Sequence, residues 1–271
     1  MTDFFHVLSF IPNTDFAIMS AVLGLFLGSF YNVCADRTLA GQSILWPPSH
    51  CEACGTTLKP WELIPVVSWL CLRGRCAHCG AKVSIQYPLA EIVSAILAWV
   101  VGWVYGPSLA WVGAMVFTGL FFVMSVIDIK AYILPDGLTL GGAVLALPAS
   151  IFLFGHDWVN ALLGGIIGAG VFWLIGILYL KRRGIEGLGF GDVKLMLSIG
   201  FLVTAELLSI TVILAGVTAL VAFGVIALLG RNTDALAEHR LPFGPFLCFA
   251  GWLTLLFGDA MWQCWLDFIL R

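Results

Sequence analysis

Seven apolar runs, each near the roughly 20 residues a helix needs to cross a hydrocarbon core, leave this chain very few folds. They lie near 16–36, 88–106, 108–127, 138–155, 158–180, 207–229 and 243–266, and a shorter eighth occupies 193–205. Lipid offers no water to backbone N–H and C=O groups, so each run must close its hydrogen bonds within itself as a helix. Composition agrees: 61% of the 271 residues are hydrophobic and only 11% are charged, against about 25% charged in a soluble domain. The sequence predicts an all-α polytopic membrane protein of about eight transmembrane helices, with the lipid bilayer as its first partner. Nothing in it points to nucleic acid.

Threading the spans with the amino terminus outside puts every basic residue except Arg271 on one side. That side is the cytoplasm, because short loops rich in Lys and Arg stay inside. Asp3, Asp15, Asp157 and Glu206, acids without basic company, then fall outside. The stretch before Asp15 has acids but no basic region, so the first apolar run reads as a retained anchor. Three parts are expected: a first span (1–36), a polar cytoplasmic loop (37–87) and a transmembrane body (88–271).

The loop carries Cys51-Glu52-Ala53-Cys54 and Cys76-Ala77-His78-Cys79, separated by 21 residues and each followed by glycine, Gly55 and Gly80. Two such knuckles present four thiolates in the tetrahedral set that suits a structural zinc ion. Disulfides are the rival reading, and a reducing cytoplasm disfavours them. Four cysteines fill the shell, which leaves His50 and His78 as bystanders. Cys34, Cys71, Cys248 and Cys264 lack a knuckle partner and are expected in apolar packing. About fifty residues bury little core, so metal binding would supply the folding energy of the loop.

Two aspartates lie where carboxylates are expensive. Asp128 closes the third span in Ile127-Asp128-Ile129-Lys130, and Asp192 opens the short one in Gly189-Phe190-Gly191-Asp192. The topology brings both to the cytoplasmic end, and an ionisable group at membrane depth is a functional candidate by default. Paired carboxyl groups in a low dielectric share one proton, so one activates a water while the other acts as acid. Asp136 is the other possible partner of Asp192, but after Pro135 it reads as a helix-opening acid. Asp128 faces the unfavourable carboxyl end of its own helix and Asp192 a favourable amino end. Four glycines in the nine residues from Gly184 to Asp192 would admit an extended peptide close to the main chain. Lys194 could tune the pair or snorkel.

The catalytic candidates are therefore Asp128 and Asp192, and the metal candidates Cys51, Cys54, Cys76 and Cys79. A proton-coupled transporter using Asp128 and Asp192 as carriers is the alternative, though no internal repeat of the kind transporters show is visible. A zinc-dependent scaffold would need no intramembrane acids. A zinc metalloprotease would need a HExxH helix, which the chain lacks.

Several motifs together resemble one family, the prepilin peptidases. They are Gly28-Ser29-Phe30-Tyr31-Asn32-Val33, the four knuckle cysteines, Tyr87-Pro88-Leu89-Ala90-Glu91, Ile127-Asp128 through Leu134-Pro135-Asp136, Gly189-Phe190-Gly191-Asp192-Val193-Lys194 and Pro242-Phe243-Gly244-Pro245. The resemblance covers nearly the whole chain. It implies an aspartic endopeptidase of the bacterial inner membrane with Asp128 and Asp192 as its catalytic pair. Its substrates would be type IV prepilins or type II secretion pseudopilins, cut after glycine at the end of a short basic leader. It also implies N-methylation of the new amino terminus with S-adenosylmethionine as donor. The departures from the usual pattern, at Tyr31, Cys34-Ala35-Asp36 and Gln86, lie on the methylation side. Acids such as Glu52, Glu62, Glu91 or Glu186 are open as attractors of the leader.

Overall fold

The computed structural model describes residues 12–184, 187–228 and 242–269. Glu186, Arg231, Arg240 and Arg271, on which parts of the sequence reading rest, lie outside the described residues. Among the described residues eight α-helices follow in order: α1 (Asn13–Leu39), α2 (Val67–Cys71), α3 (Gln86–Tyr105), α4 (Leu109–Ala131), α5 (Asp136–Phe152), α6 (Trp158–Arg183), α7 (Phe190–Leu228) and α8 (Gly244–Ile269). Among the described residues α1, α3, α4, α6, α7 and α8 are long and apolar enough to cross a membrane, and α5 is a shorter apolar helix. The all-α polytopic fold read from the sequence is what the chain adopts.

The expected short run at 193–205 and the one after it form a single element broken at Thr204. That residue has φ 66 and ψ 171 and is buried, in a region of backbone space that glycine alone occupies freely. Counting α7 as two segments across this break restores the expected eight spans. A carbonyl freed near such a break needs a partner. His156, in the turn after α5, hydrogen-bonds the Leu202 carbonyl and through Nδ1 the Ser150 hydroxyl at 3.0 Å.

The chain forms two compact units, Met1–Val123 and Met124–Arg271. In the first, α1 packs antiparallel against α3 through small residues. A Cβ added at Gly24 would lie 2.6 Å from the Ala98 Cβ, and one at Gly28 2.7 Å from the Glu91 Cα. Neither position tolerates a larger residue, because apolar lipid gives helices no hydrophobic reason to associate and close backbone contact has to hold them. Ser20 adds a hydrogen bond, accepting from the Trp111 indole at 3.0 Å.

The second unit uses the same device. Gly164 of α6 and Gly200 of α7 touch so closely that a Cβ on either would collide with the backbone of the other. Between α7 and α8, the Thr211 hydroxyl donates to the Thr254 hydroxyl at 3.1 Å. Asp157 caps α6 by accepting from the Asn160 amide, and Gly184 ends it in the left-handed region at φ 71. Lys181, Arg182 and Arg183 fill the last turn of α6, the end at which the helix dipole favours cations.

Candidate functional site

Asp128 occupies the last turn of α4 and Asp192 the first turn of α7, and both are almost fully buried, at 6% and 8% exposure. The two carboxyl groups lie within electrostatic reach of one another. Asp192 is three residues past Gly189, and its carboxylate accepts from the Gly189 amide. That is the reaching-back half of a capping box. Asp128 finds an equivalent donor on another element: the amide of Gly244, at the start of α8, donates to its Oδ2 at 2.9 Å. The sequence places Asp128 only against the negative end of its own helix. In the structure the amino terminus of α8 offsets that, so each aspartate is served by the positive end of a helix.

Leu134 holds this arrangement from the turn before α5. A Cβ on Gly191 would lie 2.9 Å from the Leu134 Cβ, and one on Gly244 would lie 3.3 Å from its Cδ1 and 2.6 Å from the Asp128 Oδ2. Gly187 is pressed against the Tyr179 ring in the same way. The glycines expected to admit an extended peptide are thus, at 187 and 191, filled by side chains of this chain. Cys248, one turn into α8, is buried, bonded to Ser125 and close enough to interact electrostatically with both aspartates. Sequence reasoning missed it, because a lone cysteine in a span carries no local signal.

Asp136 is engaged elsewhere. It sits in the first turn of α5, makes no capping bond, is 67% exposed and forms an ion pair with Lys194. Lys194, whose ammonium also lies 4.8 Å from the centre of the Phe190 ring, is thereby committed to Asp136. Two of the acids open as leader attractors are used internally. Glu62 accepts from the Lys59 amide at 2.7 Å and pairs with His78 at 3.2 Å. Glu91 is buried and accepts from the Val66 amide at 2.7 Å. That second bond anchors a turn in which Val66 has φ 61, a strained value for a β-branched residue.

The four knuckle cysteines converge. Their Sγ atoms all lie within 4.8 Å of one another, and Cys51 and Cys79 are 3.8 Å apart. A tetrahedron with zinc–sulfur bonds of about 2.3 Å has edges of about 3.8 Å, so the donor set fits the ion. Both knuckles use one turn: Gly55 donates to the Cys51 carbonyl and Gly80 to the Cys76 carbonyl, with φ 69 and 73. Side-chain and backbone hydrogen bonds with Thr56 draw the Cys54 thiol down to about 6. Bonds from the Cys79 and His78 amides lower that of Cys76. Thiolates held this close repel one another, and a divalent cation relieves that repulsion. His50 bonds to the Pro48 carbonyl and His78 to Glu62, so neither histidine joins the set. Of the other cysteines Cys248 is buried as expected, whereas Cys71 and Cys264 are exposed on the surface of the chain. Cys264 lies on α8, a helix long and apolar enough to cross a membrane, whereas Cys71 ends the short α2 of the cysteine loop.

Residues 22–105 match the family model described as Bacterial Peptidase A24 N-terminal domain, and residues 115–224 match that of the Type IV leader peptidase family. A "Prepilin leader peptidase/N-methyltransferase" from Pseudomonas putida is 33% identical over 269 residues, which cover 91% of this chain and 92% of that protein. The chain belongs to the type IV leader peptidase family. The protein of the same description from Pseudomonas aeruginosa is 34% identical, covering 93% of this chain and 94% of its own. That of Neisseria gonorrhoeae is 31% identical, covering 95% and 98%. No solved structure matches the chain at a significant level.

Proposed function

We propose that this chain is an aspartic endopeptidase that removes the leader of type IV prepilins or type II secretion pseudopilins and methylates the new amino terminus. Asp128 and Asp192 are its catalytic pair. The observation that carries the reading is two buried carboxyl groups, from α4 and α7, within electrostatic reach and each facing a helix amino terminus. One carboxylate takes a proton from a water as it attacks the scissile carbonyl. The other, protonated, donates to the developing oxyanion or leaving amine. Burial keeps bulk water from competing for those protons.

The excess of Lys and Arg on one side of the spans orients the pair toward the cytoplasm of the inner membrane. A basic leader would stay in that compartment while its apolar helix lies in the bilayer, level with the aspartates. Cys51, Cys54, Cys76 and Cys79 would hold a structural zinc ion in the 37–87 loop, and residues 88–271 would form the peptidase body. Methyl transfer would draw on S-adenosylmethionine. Among the described residues there is no parallel sheet of the type that cradles nucleotides, so a donor site of that kind is absent from them. The proton-coupled transporter, the other use of two buried acids, has no support in the family to which the chain belongs.

Purified full-length protein in detergent with a prepilin substrate tests the assignment. Asp128→Asn and Asp192→Asn should each abolish cleavage while thermal unfolding stays unchanged. Normal cleavage by both variants refutes it.

A further inference from the structure

The cysteine loop has an apolar side that the peptidase reading does not use. Leu45 and Trp46 are 86% and 74% exposed, in a segment whose other needs are met by polar bonds. Arg37, at the end of α1, donates from Nη1 to the carbonyls of Ser43 and Ile44 at 3.1 and 3.0 Å, and from Nη2 to that of Pro47. These bonds pin the 43–47 strap against α1 and hold its apolar side chains outward. Between strap and helix runs an open groove of about 270 Å³, walled by Phe26, Phe30 and Val33 of α1 and by Ile44, Leu45 and Leu63 of the loop.

The α1 wall belongs to the side of that helix that meets lipid. Ile18, Val22, Phe26 and Phe30, at helical spacing, are all exposed, while Ala17, Ser20, Gly24 and Gly28 are buried against α3. The groove therefore continues a surface already committed to the bilayer. Residues 40–85, joined to a spanning helix at each end, carry four basic residues (Lys59, Arg73, Arg75 and Lys82) against two acids, Glu52 and Glu62. The Arg73 and Arg75 cations suit an anionic headgroup layer. An indole beside aliphatic groups and cations is the composition of a segment lying in a membrane interface.

We propose that Ile44, Leu45, Trp46 and Leu63 seat the cysteine loop in the headgroup and upper acyl region of the phospholipid leaflet that α1 enters, with lipid chains filling the groove. The loop is then a membrane-seated module, and the knuckles are held at a fixed height above the bilayer. This inference goes beyond peptide cleavage and does not depend on it.

Full-length protein carrying a benzophenone amino acid at Leu45, Phe26 or Glu52 can be reconstituted in vesicles of phosphatidylethanolamine and phosphatidylglycerol, irradiated and weighed by intact mass spectrometry. Lipid adducts at Leu45 should approach those at Phe26 and exceed those at exposed Glu52 by about tenfold. Adducts at Leu45 no more frequent than at Glu52, or adducts to a second protein chain in their place, overturn the proposal. As a measurement that perturbs the fold less, Trp46→Phe should reduce the fraction of tryptophan emission quenched by brominated lipids in the same vesicles. An unchanged fraction also overturns it. Neither readout requires peptidase activity, so failure here and failure of the catalytic assignment are separate results.

Discussion

The amide of Gly244 donates to Oδ2 of Asp128 at 2.9 Å, joining the end of α4 to the start of α8. There is no room for a side chain at that contact, since a Cβ on Gly244 would sit 2.6 Å from the same oxygen. Gly244→Ala should displace the Asp128 carboxyl group and lower kcat by about 100-fold, the effect of a misplacement near 1 Å. Cleavage kinetics beside a melting curve check this. A variant with wild-type kcat would show that the contact is unimportant for catalysis.

Asp136 separates position from mere acidity. It lies close in sequence to Asp128, yet it is exposed and tied to Lys194, an arrangement worth about 0.2–1 kcal/mol at a surface. Asp136→Asn should leave cleavage within about twofold of wild type, whereas Asp192→Asn should lose on the order of 10³-fold or more. Equal losses at the two positions would count against the Asp128–Asp192 pairing.

Elemental analysis should find one zinc per chain, held by Cys51, Cys54, Cys76 and Cys79, whose sulfur spacing matches a tetrahedral shell. Cys51→Ser or Cys76→Ser should remove the metal and expose the loop to protease. Retained stoichiometric zinc in both variants rules out the four-thiolate site.

His156 gives stability a pH dependence. Burial lowers its pKa below the ordinary 6.5, against the opposing pull of the Asp259 and Glu206 carboxylates. A depressed histidine binds its proton more readily in the unfolded chain. Stability is therefore full above about pH 6.5 and falls as the pH drops from there toward the folded-state pKa. The melting temperature should decline over that interval in wild type and decline less in His156→Gln. Identical slopes would remove His156 as the cause.

Gly28 tests the small-residue seam of the first unit. Gly28→Leu would drive a side chain into the Glu91 backbone, and overpacking of this kind costs about 1–3 kcal/mol. The change should lower the melting temperature, while the same substitution at Gly170, where nothing lies within 4 Å, should not.

The sequence alone fixed whatever depends on local composition and spacing. Continuous apolar runs dictate helices because lipid satisfies no backbone group, and those runs match the observed helices closely, including the two segments on either side of Thr204. The CxxCG spacing announced the four-cysteine cluster, because one tight turn per knuckle is enough to build it. The placement of Asp128 and Asp192 at helix ends was also legible, since it follows from where each apolar run ends. What only the tertiary structure decided is the partnership of groups far apart in the chain. Gly244 serves Asp128, Leu134 fills the space beside Gly191, Cys248 lies within electrostatic reach of both acids, and Lys194 answers to Asp136. Such contacts depend on how helices rotate and approach one another, which is set by packing across many small residues at once, and no local pattern encodes it.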